Sequence, residues 1–321
     1  MIEIEKEKLY FMYRKMYEIR KFEEAGAKTY KQKFWKGSLH AYIGQEAIAA
    51  AAAAVTRPTD YFVSSHRGHG HILAKGVKPD IFMAELFGRL TGQCYGRGGS
   101  MHTIDAEKRV FPHGLVGSGA YISAGIGLAI NYDNKDDVVL CFSGDGSVNA
   151  GGYHEGMNMA AVWHAPVVFI CENNGIGVST HIEDTTSIKN LSQRAIGYGM
   201  KGVTVDGTDP LVMYETLKKA VDEVRETKMP IMVEAVCYRA VGHTCWDNGS
   251  YRSPEENRRW EHYDPIKRLR EFMITEGLYT AEEIDGWNQE IEQIIADAVD
   301  FAKKSPQPPL TVEEASKYLY V

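Results

Sequence analysis

The sequence predicts an α/β protein with a mostly parallel sheet flanked by helices and helical extensions at both ends. Two short, continuous apolar runs, Val138 to Phe142 and Val167 to Cys171, have the look of strands buried on both faces. The stretch between them, Ala150 to Trp163, suits a helix that stops before Pro166. A strand, a helix and a second strand in that order make a βαβ unit, and such units build parallel sheets.

The remaining elements follow in chain order. From Glu5 to Tyr30, Leu9, Met12, Met16, Ile19 and Phe22 recur at three- and four-residue intervals, which predicts an amphipathic helix. Leu211 to Arg225 reads as a later helix and Ile231 to Val236 as a later strand. From Pro254 onward the composition turns charged and helical. Met157, Met159 and Trp163 lie at helical spacing and are expected in the core. No repeat or low-complexity linker divides the chain, so the expectation is one domain over 1–321, with extensions at about 1–35 and 254–321.

Composition narrows the function. The chain has 321 residues, 25% of them charged, and a net charge of −7, with no basic face of the kind that nucleic-acid binders show. The longest apolar run, Ala47 to Val55, is far short of the roughly 20 residues that a membrane span needs. Neither nucleic acid nor membrane is an expected partner. The N-terminus is charged at once, and the five cysteines are scattered without a CxxC pair. Both facts fit a reducing cytoplasm. Cys141 and Cys171 fall inside the apolar runs, where a thiol is usually a small buried hydrophobe.

The chemistry concentrates where strands end. The first run leads into Ser143-Gly144-Asp145-Gly146-Ser147, and the second into Glu172-Asn173-Asn174-Gly175. Ligands of open parallel sheets bind at the carboxyl ends of strands. If the two strands are neighbours, Asp145 and Asn174 come close enough to share one hard cation, and Mg²⁺ with phosphate oxygens suits such a pair. Glycines let a diphosphate approach the backbone, and the helix that follows is expected to offer it N–H groups. The cation also explains why an acid stands there, since a bare carboxylate would repel a diphosphate. A dinucleotide fingerprint fails, because Asn149 and Ile122 stand where its third glycine belongs.

Histidines form a second cluster. Ser64 to His71 packs His66, His69 and His71 around Arg67. An anion site, a zinc site and a structural loop are all open readings, with the arginine favouring the anion. His40 and His243 read singly either as satisfied structural groups or as catalysts, and the loop position of His243 after a strand places it at the ligand-bearing edge and favours the second reading there. A carboxylate substrate calls for a cation beside these two, and the sequence offers no unambiguous one. The glycine-rich Tyr95 to His102 reads equally as a phosphate cradle or as a tight structural loop.

Taken jointly, Leu39-His40, Gly44-Gln45-Glu46, His66-Arg67-Gly68-His69-Gly70, Gly98 to His102, Gly144-Asp145-Gly146, Glu172-Asn173-Asn174 and Gly242-His243 form a specific pattern. The chain resembles, over about residues 10–263, the alpha subunit of the first component of thiamine-diphosphate-dependent dehydrogenases acting on acetoin, pyruvate or branched-chain 2-oxo acids. The resemblance implies a thiamine-diphosphate-binding fold, with Asp145, Asn174 and the Ile176 carbonyl holding Mg²⁺. It also implies cofactor contacts from His66, Arg67, Gly146 and Ser147, and aminopyrimidine contacts from Gly114 and Val116. His40 and His243 would face the reacting carbonyl. His66 resembles the acetoin branch, whereas Val241 and Thr244-Cys245-Trp246-Asp247 depart from the usual pattern near the substrate.

The implied activity is cleavage of acetoin, or decarboxylation of pyruvate, to a hydroxyethyl adduct of the cofactor. The acyl group would then pass to a lipoyl-bearing acyltransferase component. The implied assembly is an alpha2beta2 heterotetramer, active only with its beta subunit. A regulatory subunit that retains the fold, and a zinc hydrolase built on His66, His69 and His71, are the alternatives from other classes.

Overall fold

The computed structural model describes residues 4–35, 37–309 and 311–318. The first three residues of the expected N-terminal extension and the last three of the C-terminal one lie outside that range.

In chain order, α1 (Lys6–Lys31) and α2 (Glu46–Val55) precede β1 (Tyr61–Ser64), and α3 (His69–Ala74) and α4 (Pro79–Leu86) precede β2 (Val110–Pro112). Next come α5 (Gly119–Tyr132), β3 (Val139–Gly144), α6 (Gly151–Val162) and β4 (Val167–Asn173). A small hairpin, β5 (Ile176–Gly177) and β6 (Thr180–His181), leads to β7 (Lys201–Asp206), α7 (Pro210–Thr227) and β8 (Ile231–Val236). The chain then runs through α8 (Pro254–Glu261), α9 (Pro265–Thr275), α10 (Ala281–Lys304) and α11 (Val312–Ser316).

Six strands form one parallel sheet in the order β2-β1-β3-β4-β8-β7. The two strands of the βαβ unit are neighbours, with Gly144 in register with Glu172. Successive strand residues face opposite sides. Leu140, Phe142, Val168 and Ile170 belong to one core with residues of α1, α2 and α7, while Val139, Cys141, Phe169 and Cys171 belong to a second with residues of α5 and α6. Helices thus cover both faces, and this is why the two runs are apolar without alternation. The C-terminal helices close the outer side, with α10 lying against α1 and α4. Among the described residues, no helix is long and apolar enough to cross a membrane.

Two expectations need correction. Trp163 is 38% exposed, unlike the buried Met157, because α6 ends at Val162 and Trp163 is its C-terminal cap, past the last helical turn that packs on the sheet. The helix predicted from Ala150 starts at Gly151, and a 3₁₀ turn at Ser147–Asn149 comes first. The residues nearest the strand end therefore belong to this turn and not to the helix N-terminus.

Candidate active site

From β1, the chain runs outward to β2 and then returns to the other side of β1 as β3. Strand order reverses there, and a crevice opens at the carboxyl ends of β1 and β3, as such reversals dictate. Ser65, His66 and Arg67 follow β1, Asp145 to Ser147 follow β3, and Asn174 follows β4. His243 arrives from the loop after β8. His40 arrives from the connection between α1 and α2, which Gly44 pins down. This glycine has φ +99°, and a Cβ there would sit 2.2 Å from the Tyr238 carbonyl oxygen, so no other residue fits.

These segments enclose a cavity of about 430 Å³. Every residue that the resemblance assigns to the site lines it: His40, His66, Arg67, Gly114, Val116, Asp145, Gly146, Ser147, Asn174, Ile176 and His243. Sequence reading did not assign Gln45, Ser65, Met101, Glu172 and Val178, which also line it.

On the cavity's Asp145 side the donors are hard oxygens. Asp145 is 4% exposed, and burial pushes its carboxyl above the usual range against the pull of nearby backbone N–H groups, Arg239 and Arg67. Asn174 donates its amide nitrogen to Gln45 Oε1 at 3.1 Å, which fixes the amide's orientation and leaves Oδ1 to accept. Among the described residues its Oδ1 is approached only by the Ile176 N–H, at a long 3.4 Å. Gly175, at φ +77°, makes the turn that brings Ile176 back to the cavity. A buried carboxylate with an oriented amide oxygen beside it is a donor set that fits a divalent cation with phosphate oxygens.

Another part of the lining is built of imidazoles. His40 and His243 have ring centroids 5.0 Å apart, and His40 and His66 4.9 Å apart. All three are held neutral. Burial is the first cause, and Arg67 adds to it, so His40 falls to about 2, His66 to about 3 and His243 to about 4. His40 Nδ1 is buried without a hydrogen-bond partner among the described residues, as expected of a group that awaits a ligand. Arg67 lies 3.2 Å from His243 Nδ1, and Arg239 lies 3.3 Å from the same nitrogen. The cation that sequence reading did not find beside His243 is therefore present twice. Arg239 escaped notice because it lies within the strand-exit segment, with nothing local to mark it.

The zinc reading of His66, His69 and His71 is overturned, since these rings do not converge. His69 is buried between Glu23, at 3.0 Å, and Ser100, at 2.8 Å. His71 is buried between Glu172, at 3.0 Å, and Ser64, at 2.8 Å. The glycine-rich loop is not an open phosphate cradle either. One carboxylate, Glu85, accepts the N–H groups of Cys94, Gly96, Gly98 and Gly99 at 2.7 to 3.0 Å and fills the nest itself.

Comparison with known proteins agrees with this geometry. The family model described as "Dehydrogenase E1 component" matches residues 14–311. The alpha subunit of acetoin:2,6-dichlorophenolindophenol oxidoreductase from Bacillus subtilis is 38% identical over 96% of this chain and 92% of its own. The pyruvate dehydrogenase E1 component alpha subunit of Zymomonas mobilis is 39% identical over 95% of this chain and 86% of its own, and that of Rickettsia bellii is 36% identical over 98% and 97%. The chain belongs to the dehydrogenase E1 component family, as an alpha-type subunit.

Proposed function

We propose that this chain is the alpha subunit of a thiamine-diphosphate- and Mg²⁺-dependent dehydrogenase acting on acetoin or pyruvate, working with a beta subunit in an alpha2beta2 heterotetramer. Residues 1–321 act in it as one domain, and the acyl product goes to a lipoyl-bearing component. One observation carries the reading. Asp145 and Asn174 end adjacent parallel strands and share one cavity with His40, His66, Arg67 and His243.

In this reading Asp145, Asn174 and the Ile176 carbonyl hold the metal. His66, Arg67, Gly146 and Ser147 hold the diphosphate, and Gly114 and Val116 meet the aminopyrimidine. Thiamine diphosphate supplies, when bound, the electron sink for cleaving a carbon–carbon bond beside a carbonyl. The chain's own contribution is orientation and charge. Arg67, 5% exposed and anchored on the Ala41 carbonyl at 2.8 Å, presents a fixed positive charge to the anion. His40 and His243 stand on the imidazole wall and provide hydrogen bonds to the reacting oxygen.

The test is reduction of 2,6-dichlorophenolindophenol by this chain co-purified with a beta subunit. Acetoin, pyruvate and branched-chain 2-oxo acids are each supplied with and without thiamine diphosphate and Mg²⁺. Cofactor-dependent reduction is expected, and the best substrate names the branch. A stable complex that binds cofactor and reduces nothing would overturn the enzymatic reading.

A further inference from the structure

Three imidazoles meeting in one cavity invite a metal. The ligand nitrogens of His40, His66 and His243 all lie within 4.8 Å of one another. Two guanidiniums argue otherwise. Arg67 Nη2 and Arg239 Nη1 both approach Nδ1 of His243, at 3.2 and 3.3 Å. A guanidinium has only donors and keeps its charge. Nδ1 must therefore accept, and in a neutral ring the proton then sits on Nε2. The ring is neutral near pH 7, held at about 4 by burial and by the same two arginines.

We infer that Arg239 is a positioning residue which, with Arg67, fixes His243 as the Nε2–H tautomer, so that this ring donates a hydrogen bond to a substrate oxygen and serves neither as a base nor as a metal ligand. The inference rests on the function proposed above and gives the imidazole wall its polarity.

Both arginines are themselves held. Arg239 is 1% exposed, and its Nη2 donates to the Tyr251 hydroxyl at 2.6 Å and to the Val178 carbonyl at 3.3 Å. Tyr251 donates in turn to Asp247 Oδ2 at 2.6 Å, and that oxygen also accepts the His243 N–H at 2.5 Å. Arg67 closes the ring from the other side by donating to the His243 carbonyl at 3.1 Å. The backbone and one ring nitrogen of His243 are thus both committed, and only the Nε2 edge remains to meet a ligand. A neutral donor aimed at an oxygen that gains negative charge stabilises it without giving up a proton.

The experiment reads the tautomer directly. The full chain is labelled with ¹⁵N-histidine, and long-range proton–nitrogen correlation spectra are recorded, with His243 assigned by its loss in His243→Gln. The expected pattern is an unprotonated-type Nδ1 and a protonated-type Nε2. Arg239→Met should move both resonances toward intermediate values, and Arg239→Lys should restore them. In the assembled enzyme, His243→Gln places an amide donor where Nε2 stood and should stay within about tenfold of the parent turnover. His243→Asn reaches only the Nδ1 position and should lose roughly 100-fold, the scale of a lost oxyanion donor.

A protonated Nδ1, an Asn variant that outperforms Gln, or tetrahedral Co²⁺ bands that vanish in His243→Gln would each overturn the inference. Should Arg239→Met not fold, the spectrum of the unmutated chain decides alone. Failure of calorimetry to detect thiamine diphosphate binding by the assembly would remove the proposed reaction but leave the tautomer pattern readable, so the two failures are distinguishable.

Discussion

Asp145 sits at the end of β3 with its carboxyl raised by burial, and a divalent cation is what would reverse that shift. Asp145→Asn should therefore abolish Mg²⁺-dependent thiamine diphosphate binding while the thermal midpoint stays close to that of the parent. Calorimetric titration of the assembled enzyme checks this, and unchanged affinity would remove Asp145 from the metal site. The histidine wall gives a prediction of its own. The unfolded chain takes up protons at these rings as pH falls through about 6.5, whereas the folded rings resist until about 4, 3 and 2. Their contribution to stability is complete above the ordinary histidine range and is lost progressively as pH falls below it. Urea midpoints should drop between pH 7 and 4, and the drop should be shallower in His40→Gln/His66→Gln. At this scale, Asp145 and Asn174 were legible because glycines and oxygen donors clustered at apolar-run ends. Gln45 and Glu172 were not, since what marks them is a contact with residues more than 100 positions away, and Arg239 was not, since its part shows only once its loop folds back and brings His243 against it.

Elements were legible in proportion to how apolar and how long they are. The ends of β4 and β8 and the span of α7 match the sequence reading within two residues, because full burial leaves a continuous run and a half-buried helix leaves a clear period. Strands β1 and β2 have only four and three residues, too few for a pattern, and β7 is an edge strand with half-exposed residues. Helix α2 is almost all alanine and isoleucine and buried all round, so its period is invisible. The loop 94–99 was ambiguous because its partner, Glu85, lies on α4. Glu85→Ala removes the acceptor for four N–H groups. It should destabilise the protein by about 2–4 kcal/mol, given the desolvation penalty of each unmet donor and partial access to water. Limited proteolysis should cut within 94–99 faster than in the parent, and an unchanged cutting rate would show that the glycines hold the loop unaided.

Across the whole molecule the two edges of the sheet do different work. The carboxyl edge holds the cavity, with its raised carboxylate and neutral imidazoles, and so concentrates groups that are costly to bury. At the amino edge, Asp60 is fully buried just before β1 and accepts the N–H groups of Arg57 and Val138 at 2.7 and 2.9 Å. It also pairs with Arg225 at the end of α7 at 2.8 Å, tying β1, β3 and a covering helix together. Removing one partner of a buried pair strands the other charge, a loss of about 3–5 kcal/mol. Asp60→Ala should therefore lower the unfolding free energy by that amount. The thiamine diphosphate affinity of the assembled enzyme, measured at a temperature where the variant remains folded, should be unchanged, because the substitution lies at the opposite end of the strands. Asp145→Asn should show the inverse pattern, with affinity lost and stability kept. If Asp60→Ala weakened cofactor binding as much as it weakened folding, the amino edge would have to transmit strain along β1 into Ser65, His66 and Arg67, and the division of labour between the two edges would fail.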